Sequence, residues 1–300
     1  MLFTSLDPSQ TEAIIRCEQF LKQPVPMDAR WLCATSEGRY PRVVATAAWW
    51  TGIATTFPDT PEKPEPTATF RLRLSTARQS TEDYQCLINT LAETASNVGC
   101  TVLVADGFWP TEDHFAKILA TCGFAPISTK RRFGFPVDYG MDRVIRAFTR
   151  ILSHLPSDLR IDPISQFPAE KVWPILAPHG LMTPHTFAAL WREDTEHAAY
   201  GPMSGVLHEN GRIYGLIVTT LHNRQPEVPL RIVSPDCPGG TRAGNALILK
   251  HLHDNIGSYR DREIIFEGYP KQHLETANLA SRMNGRLIGE VHFWARRIGN

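Results

Sequence analysis

The chain has 300 residues, of which 42% are hydrophobic and 21% charged, and its 31 basic residues balance its 31 acidic ones. Such a length suits two globular domains of about 150 residues each. Balanced charge argues against a broad nucleic-acid-binding face, which needs a local excess of Lys and Arg. We interpret the one basic run, Lys130-Arg131-Arg132, as a solvated strand edge.

The N-terminal residues lack the charged-then-apolar layout of a signal peptide, and no apolar run is long enough to span a membrane. The six cysteines are scattered, without a CxxC motif or a Cys/His pair at metal-binding spacing. We therefore expect a cytoplasmic protein with no metal site and no membrane partner.

The first half begins with a predicted helix over 11–21, where Ile14, Ile15, Phe20 and Leu21 share one face. The Pro-rich stretch TTFPDTPEKPEPTA, 55–68, predicts an exposed loop. A helix over 81–99 should start at Thr81 as N-cap and end at Gly99. A further helix is predicted over 112–123, and the predicted strands are 30–37, 42–50, 67–75, 101–108 and 129–135.

The second half repeats this order of elements. Helical segments over 169–180 and 183–197 precede a β-hairpin over 204–223, whose turn is Asn210-Gly211. The remaining predicted elements are a strand at 229–235, a helix at 243–257, a strand at 262–270, a helix at 273–285 and a strand at 286–297.

An antiparallel meander followed by strand–helix–strand–helix–strand, twice over, predicts a mixed α/β fold. We place an N-terminal domain at 1–140, a linker helix at 141–160 and a C-terminal domain at 161–300. The duplication rests on element order, not on residue identity.

A Gly-rich junction, IVSPDCPGGTRAGNALIL, joins the 229–235 strand to the following helix. Glycines allow close backbone approach and positive φ, and the first N–H groups of a helix have no intrahelical partner. Such a corner is suited to bind a pyrophosphate, with Arg242 adding a direct contact. The spacing matches neither the Walker nor the Rossmann pattern. A simple surface turn is the alternative.

This junction resembles the GNAT (Gcn5-related N-acetyltransferase) superfamily. There the fourth strand ends in a Val-x-Pro-like step, and an Arg/Gln-x-x-Gly-x-Gly/Ala loop binds the coenzyme A pyrophosphate. Val233-Ser234-Pro235-Asp236 matches the strand end, Gly239 to Gly244 the loop, and Ala246-Leu247 the small-then-apolar helix start. The family's leading Arg or Gln falls on Pro238 or Gly239, and the loop is one residue longer than usual.

The resemblance implies two tandem GNAT-like domains, each a central mixed β-sheet flanked by helices. The segment RLSTARQSTEDYQCL in the first half contains no glycine, so that domain is interpreted as degenerate. The implied substrate is acetyl-CoA or another acyl-CoA, with no metal. The residues implied to bind it are Val233, Ser234, Gly239, Gly240, Thr241, Arg242, Ala243, Gly244 and Asn245.

The implied reaction is attack of a small-molecule amine on an acyl thioester, with acetyl as the default acyl group. A backbone N–H near Val233 or Ser234 would stabilise the oxyanion. Glu267, at the end of the fifth strand, is the candidate base, and Tyr269 would orient the acceptor. The Tyr that often acts as general acid in the family is replaced by Ser281 here, which could relay a proton through water.

Other polar residues in this half have weaker claims to a role. His208, Glu209 and His222 are each expected to be exposed turn or strand residues. The acceptor pocket would be lined by Trp191, Arg192, Glu193 and Tyr200. Two other functions stay open: a non-catalytic GNAT-fold protein that binds an acyl-CoA or a protein partner, and a transferase using aminoacyl-tRNA. A basic groove for the latter is lacking.

Overall fold

The computed structural model describes residues 2–23, 25–37, 39–52, 54–57, 59–177, 187–188, 191, 201–222, 224–268 and 273–299. Contacts divide the chain into two compact units. The N-terminal unit comprises Met1–Thr129 and Val291–Asn300, and the C-terminal unit comprises Lys130–Glu290. These units divide the chain at different residues from the expected domains 1–140 and 161–300, which stay a prediction.

The mixed α/β fold class is confirmed. The strands are β1 (Thr4–Leu6), β2 (Arg30–Thr35), β3 (Val43–Thr51), β4 (Thr55–Phe57), β5 (Thr60–Glu65), β6 (Thr67–Leu74), β7 (Val102–Ala105), β8 (Ala125–Pro136), β9 (Leu159–Pro163), β10 (Gly205–Glu209), β11 (Arg212–His222), β12 (Gln225–Val233), β13 (Glu263–Gly268) and β14 (Arg286–Arg297). The helices are α1 (Thr11–Leu21), α2 (Thr81–Ser96), α3 (His114–Thr121), α4 (Asp142–Leu152), α5 (Ala169–Leu176), α6 (Gly240–Asn255) and α7 (His273–Arg282).

The sheet of the N-terminal unit runs in the order β1-β2-β3-β6-β7, and the last residues of β14 pair antiparallel with β7. Only β6 and β7 are parallel among these neighbours. Apolar residues of α2, such as Leu87 and Leu91, pack on Phe70 and Leu103 of the sheet. The unit thus has its own core.

The Pro-rich stretch is not the predicted loop, because β4 and β5 form a two-stranded antiparallel sheet. Proline is confined to edge strands and bulges of sheets, and β5 is a strand of a two-stranded sheet whose register shifts between Thr55 and Phe57. Phe57 of β4 is buried against Val102 and Val104, so this two-stranded sheet packs on β7.

The sheet of the C-terminal unit runs in the order β8-β13-β12-β11-β10-β9, with only β12 and β13 parallel. The predicted hairpin turn is confirmed: Asn210 and Gly211 have φ of 49° and 82°, as a type I′ turn requires. One core joins α4, α6 and α7 to the sheet through Val144, Ile248 and Leu279.

The predicted linker helix corresponds to α4, which is followed by the unpredicted strand β9. Within the residues described, no helix is both long and apolar enough to cross a membrane. In the same residues, no three His, Cys, Asp or Glu side chains are grouped to hold a metal ion.

Candidate functional site

The junction between β12 and α6 is a tight, internally bonded turn. The Ser234 N–H donates to Tyr214 O at 2.7 Å, and the Cys237 N–H donates to Ser234 O at 3.1 Å. Gly239 and Gly240 follow with φ of 76° and 77°, a conformation that strongly favours glycine. These two glycines therefore turn the chain into the helix.

No side chain of the described residues caps the first turn of α6. The Gly240 N–H donates to Cys237 O at 2.6 Å. Among the described residues, no hydrogen-bond acceptor meets the N–H groups of Thr241 and Arg242, and both residues are exposed. A Cβ atom placed on Gly240 would have no heavy atom of the described residues within 4 Å, so the space beside this glycine is open. An anion can reach these amides.

The remaining predicted binding residues have structural roles. A Cβ atom on Gly244 would lie 2.5 Å from Val233 Cγ1 and 3.0 Å from Leu207 Cδ2, so this glycine lets α6 pack closely on the sheet. Ala243 is buried. Asn245 donates from Nδ2 to Thr241 O at 2.9 Å and is otherwise bonded to side chains of the protein.

The corresponding junction of the N-terminal unit differs in chemistry. Thr81 was the predicted N-cap of α2, but the cap is Ser80, whose Oγ accepts from the Asp83 N–H at 3.1 Å. Glu82 and Asp83 place two carboxyl groups in the first turn. A self-capped, acidic helix start repels anions, in accord with the interpretation of this half as degenerate.

Among the residues described, strands β12 and β13 pair at two positions, Glu227↔Ile265 and Val228↔Phe266. Beyond them β12 continues through 229–233, and we call the opening between this segment and Glu267–Gly268 the wedge. N–H groups alternate between the two edges of a strand. Since the Ser234 N–H is bonded to β11, that of Val233 is directed to the wedge. Of the two predicted oxyanion donors, the Ser234 N–H is thus bonded within the sheet, and a role for the Val233 N–H stays a prediction.

Arg231 lies at the wedge, and its side chain is only 6% exposed. Its Nη1 donates to Asn245 Oδ1 on α6 and to Glu275 Oε1 on α7, the latter at 3.5 Å. Its guanidinium also lies over the ring of Phe266, 5.7 Å from the centroid. Burial lowers the pKa of Arg231, and the carboxylate of Glu275 opposes that effect. Sequence patterns did not predict a role for this arginine.

Glu267, the candidate base, is held in an ion-pair network. Its Oε2 lies 2.9 Å from Lys130 Nζ, and its Oε1 lies 3.6 Å from Arg132 Nε. Arg132 also pairs with Glu227 at 2.6 Å. The interpretation of the basic run as a solvated edge is wrong for Lys130, which is 6% exposed because β8 pairs with β13.

The other two candidate catalytic residues are Tyr269 and Ser281. Tyr269 lies outside the described residues. Ser281 is an exposed residue of α7. Of the expected acceptor pocket, only Trp191 is described; its Nε1 donates to Phe167 O at 2.8 Å, while Arg192, Glu193 and Tyr200 lie outside the described part.

His208 is the polar residue whose environment differs most from expectation. It is 5% exposed, and its Nε2 lies 2.8 Å from Asp162 Oδ2. Its ring contacts that of Phe167, with the centroids 5.0 Å apart. The expected exposure was wrong because β9 and β10 pair and bring Asp162 beside it. The burial of His208 could not be predicted because the strand β9 was not predicted. The side chain of His222 lies outside the part of the chain that the structure describes.

Comparison with known proteins identifies the fold. No protein-family model and no curated protein sequence matches the chain. A GCN5-related N-acetyltransferase from Anabaena variabilis superposes with a TM-score of 0.61 at 12% identity, covering 99% of this chain and 73% of that one. A tandem GNAT protein from the clavulanic acid biosynthesis pathway gives 0.56 at 14% identity, covering 100% and 99%.

Saccharomyces cerevisiae N-myristoyltransferase with bound myristoyl-CoA gives a TM-score of 0.53 at 11% identity, covering 100% of this chain and 79% of that one. Likeness at such identities concerns the fold. The fold resembles that of these GNAT proteins, one of which is a tandem GNAT protein, in accord with the resemblance noted at the Gly-rich junction.

Proposed function

We propose that this chain is an acyl-CoA-dependent N-acyltransferase whose C-terminal unit binds coenzyme A at the start of α6. One observation carries the proposal. The open amides of Thr241 and Arg242 lie at an uncapped helix N-terminus, directly after the strand that borders the wedge. A phosphate group at such a terminus gains both hydrogen bonds and the favourable helix dipole.

The acyl donor would lie with its pyrophosphate at Gly240, Thr241 and Arg242 and its thioester in the wedge. The guanidinium of Arg242 is exposed and can contact phosphate oxygens. Val233, Ser234, Gly239, Ala243, Gly244 and Asn245 would shape this seat without contacting the phosphates. Acetyl stays the default acyl group and a small amine the proposed acceptor. No metal takes part, and the cytoplasm stays the proposed compartment.

In the transfer, the neutral amine attacks the thioester carbonyl and forms the C–N bond. The Val233 N–H would stabilise the oxyanion that develops. The C–S bond then breaks, and the proton lost by the amine ends on the sulfur of coenzyme A. Neither Glu267 nor Ser281 forms a covalent bond to the substrate in this reaction, so both would act only by transferring protons.

Glu267 stays the proposed base, although its carboxylate is engaged in an ion pair with Lys130. Its carboxylate faces Lys130 at 2.9 Å, so proton acceptance requires that ion pair to loosen. Glu267→Gln should lower kcat by about a hundredfold if the carboxylate is the base. Full turnover by this variant would discard the role. Tyr269 stays the proposed acceptor-orienting residue.

The proposal is tested by thermal unfolding of the full chain with coenzyme A and acetyl-CoA. A ligand at a hundred times its Kd stabilises the folded state by about 2.7 kcal/mol, which raises Tm measurably. Absence of any shift at millimolar coenzyme A would rule the proposal out.

A non-catalytic acyl-CoA-binding protein is the second candidate. The ion pair on Glu267 and the exposed position of Ser281 favour it, because neither residue is poised for proton transfer. Thiol release from acetyl-CoA with a panel of amines separates the two functions. Binding without thiol release would identify a binder.

A further inference from the structure

The outward face of α4 carries a row of positive charges. Arg143, Arg146 and Arg150 are exposed and follow one another at three- and four-residue spacing. With 3.6 residues per turn, the three side chains lie within a sector of about 60° around the helix. The opposite side of α4, with Val144 and Phe148, is packed in the core. We call these three arginines the basic stripe.

The charges of the basic stripe are not neutralised by neighbours. In the part of the chain that the structure describes, no carboxylate pairs with any of the three guanidinium groups. The one acidic residue of α4, Asp142, is paired with His253 of α6 instead. Another exposed helix, α1, does pair its arginine, since Arg16 lies 3.5 Å from Glu12 one turn away. The basic stripe therefore differs from an ordinary solvated helix face.

This arrangement weakens the helix that carries it. Like charges three or four residues apart on a helix repel one another. Arg143 also lies in the first turn of α4, where the positive end of the helix dipole disfavours a cation. The stability of α4 thus does not account for the basic stripe, whereas an anionic partner would.

The basic stripe leads toward the proposed coenzyme A seat. Leu155, three residues after the end of α4, packs at the junction of β12 and α6, because a Cβ atom on Gly239 would lie 3.1 Å from Leu155 Cδ2. At the other end of the two helices, Asp142 Oδ1 lies 2.6 Å from His253 Nε2. Helices α4 and α6 are therefore antiparallel, and the Arg150 end of the basic stripe is the one nearer to the start of α6.

Acidic residues limit the length of this surface. Asp142 precedes the basic stripe in the sequence, and the exposed Asp158 follows α4. Between these two carboxylates, the three arginines span about 10 Å of helix. A long polyanion such as RNA would extend past the basic stripe and meet the carboxylates. One acidic helix of a folded protein matches both its length and its charge.

We propose that the basic stripe docks an acidic helix of a protein that carries the acyl group on a phosphopantetheine arm. The inference rests on the proposed function. In such a donor, the phosphate that joins the arm to its carrier would bind at the start of α6, and the arm would enter the wedge as that of coenzyme A does. A phosphate seat and an adjacent row of unpaired cations thus have one occupant.

The bonds exchanged are those of the reaction with acyl-CoA. The amine nitrogen gains the acyl carbon, the C–S bond breaks, and the thiol of the carrier-bound arm receives the proton that the amine loses. The basic stripe contacts only the carrier and takes no part in this exchange. It would speed association and lower KM for the carried donor, and leave kcat unchanged.

Thiol release by the full chain tests the inference, with acetyl-CoA and an acetylated acyl carrier protein as alternative donors and a panel of amines as acceptors. We expect Arg146→Glu/Arg150→Glu to lower kcat/KM for the carrier protein by about tenfold or more, and to change kcat/KM for acetyl-CoA by less than about twofold. The loss should shrink as salt is raised, because exposed charges are screened. Isothermal titration with the holo carrier protein makes the same comparison without turnover.

Arg39→Glu/Arg42→Glu is the matched control. It makes the same change of charge at two exposed arginines of the N-terminal unit. Both donors should be used as by the parent, so equal losses from the two double variants would show that only net charge matters. Arg146→Gln/Arg150→Gln removes the charges without reversing them, and it decides the matter if the charge-reversed variant does not fold.

A carrier protein that neither binds nor donates, in a chain that uses acetyl-CoA, would overturn the docking surface while the proposed function stands. Equal loss of kcat/KM for both donors on charge reversal would also overturn it. Inhibition by a short RNA that is lost in Arg146→Glu/Arg150→Glu, without any effect of the carrier protein, would assign the basic stripe to nucleic acid instead. If neither acetyl-CoA nor the carrier protein binds, the proposed function falls and the inference falls with it.

Discussion

Lys130 Nζ lies 2.9 Å from Glu267 Oε2, and the two side chains are 7% and 12% exposed. The bond joins β8 to β13 at the edge of the wedge. Charges so well shielded stabilise each other, and removal of Lys130 leaves Glu267 with the more distant Arg132, whose Nε lies 3.6 Å from Glu267 Oε1.

Lys130→Met should therefore lower the free energy of unfolding by about 3 kcal/mol, because it leaves Glu267 without its closest cation. The double variant Lys130→Met/Glu267→Gln should recover part of the loss. Urea denaturation measures both. The matched control is Arg131→Met: Arg131 pairs with Glu290 at 3.0 Å, but these side chains are 47% and 39% exposed. Arg131→Met should lower the free energy of unfolding by less than about 1 kcal/mol. An equal loss for Lys130→Met and Arg131→Met would show that burial of the Lys130–Glu267 pair does not matter.

Arg242→Glu should weaken coenzyme A binding by about tenfold or more, since it replaces a phosphate contact with a repulsive charge. The residue is exposed, so the free energy of unfolding should stay unchanged. Isothermal titration measures the Kd. Arg78→Glu places the same change before α2, at the corresponding junction of the N-terminal unit. Equal weakening by both variants would mean that a general charge effect operates.

Two glycines of the junction should respond differently to alanine. Gly244→Ala adds a Cβ atom 2.5 Å from Val233 Cγ1, which should cost about 1–3 kcal/mol through overpacking. Gly240→Ala enters open space and should cost only about 1 kcal/mol for its φ of 77°. Chemical denaturation ranks them. A Gly244→Ala protein as stable as the parent would disprove the close packing of α6 on β12.

Asp162→Asn tests the buried pair with His208. Burial of the Asp162 carboxyl raises its pKa, but hydrogen bonds from His208 and Arg160 outweigh this and lower the pKa below the ordinary value. A depressed carboxyl pKa contributes stability above the pKa of the unfolded chain, and the contribution is lost as pH falls through the folded pKa.

The parent should therefore lose stability below about pH 4 more steeply than Asp162→Asn. At pH 7 the variant should be less stable by about 1–2 kcal/mol. Urea denaturation across pH provides the comparison. Asp236→Asn is the control, because the exposed Asp236 carboxylate has no hydrogen bond among the described residues. Parallel pH curves for parent and Asp162→Asn would refute the role of the pair.

Local patterns predicted local structure well. The turn at Asn210-Gly211 and the helix Thr11–Leu21 formed where the residues indicated, since both depend on neighbours in the chain. The burial of Lys130 and His208 could not be predicted, because it depends on Glu267 and Asp162, which are distant in sequence. Arg231 was missed for the same reason.

In the Gly-rich junction, some structural features were predicted from the sequence and others were not. Its resemblance led to the correct fold, and Gly239 and Gly240 turn the chain as positive-φ residues should. Gly244 looked like part of a phosphate seat, yet it is small because Val233 and Leu207 leave no room for a Cβ atom. A glycine in a sequence indicates that another group lies close to the backbone, but it does not show whether that group is a ligand or a side chain of the protein.

β14 begins among residues of the C-terminal unit, and its last residues pair with β7 in the N-terminal unit. Trp294 and Ile298 belong to the core that α2 and α3 cover. On the ribosome, the unit made first must therefore wait for the second to be translated before its own sheet is filled. Until Ala295–Arg297 are made, the edge of β7 that pairs with them has no partner strand, so the N-terminal unit completes its sheet only after the C-terminal unit has been translated.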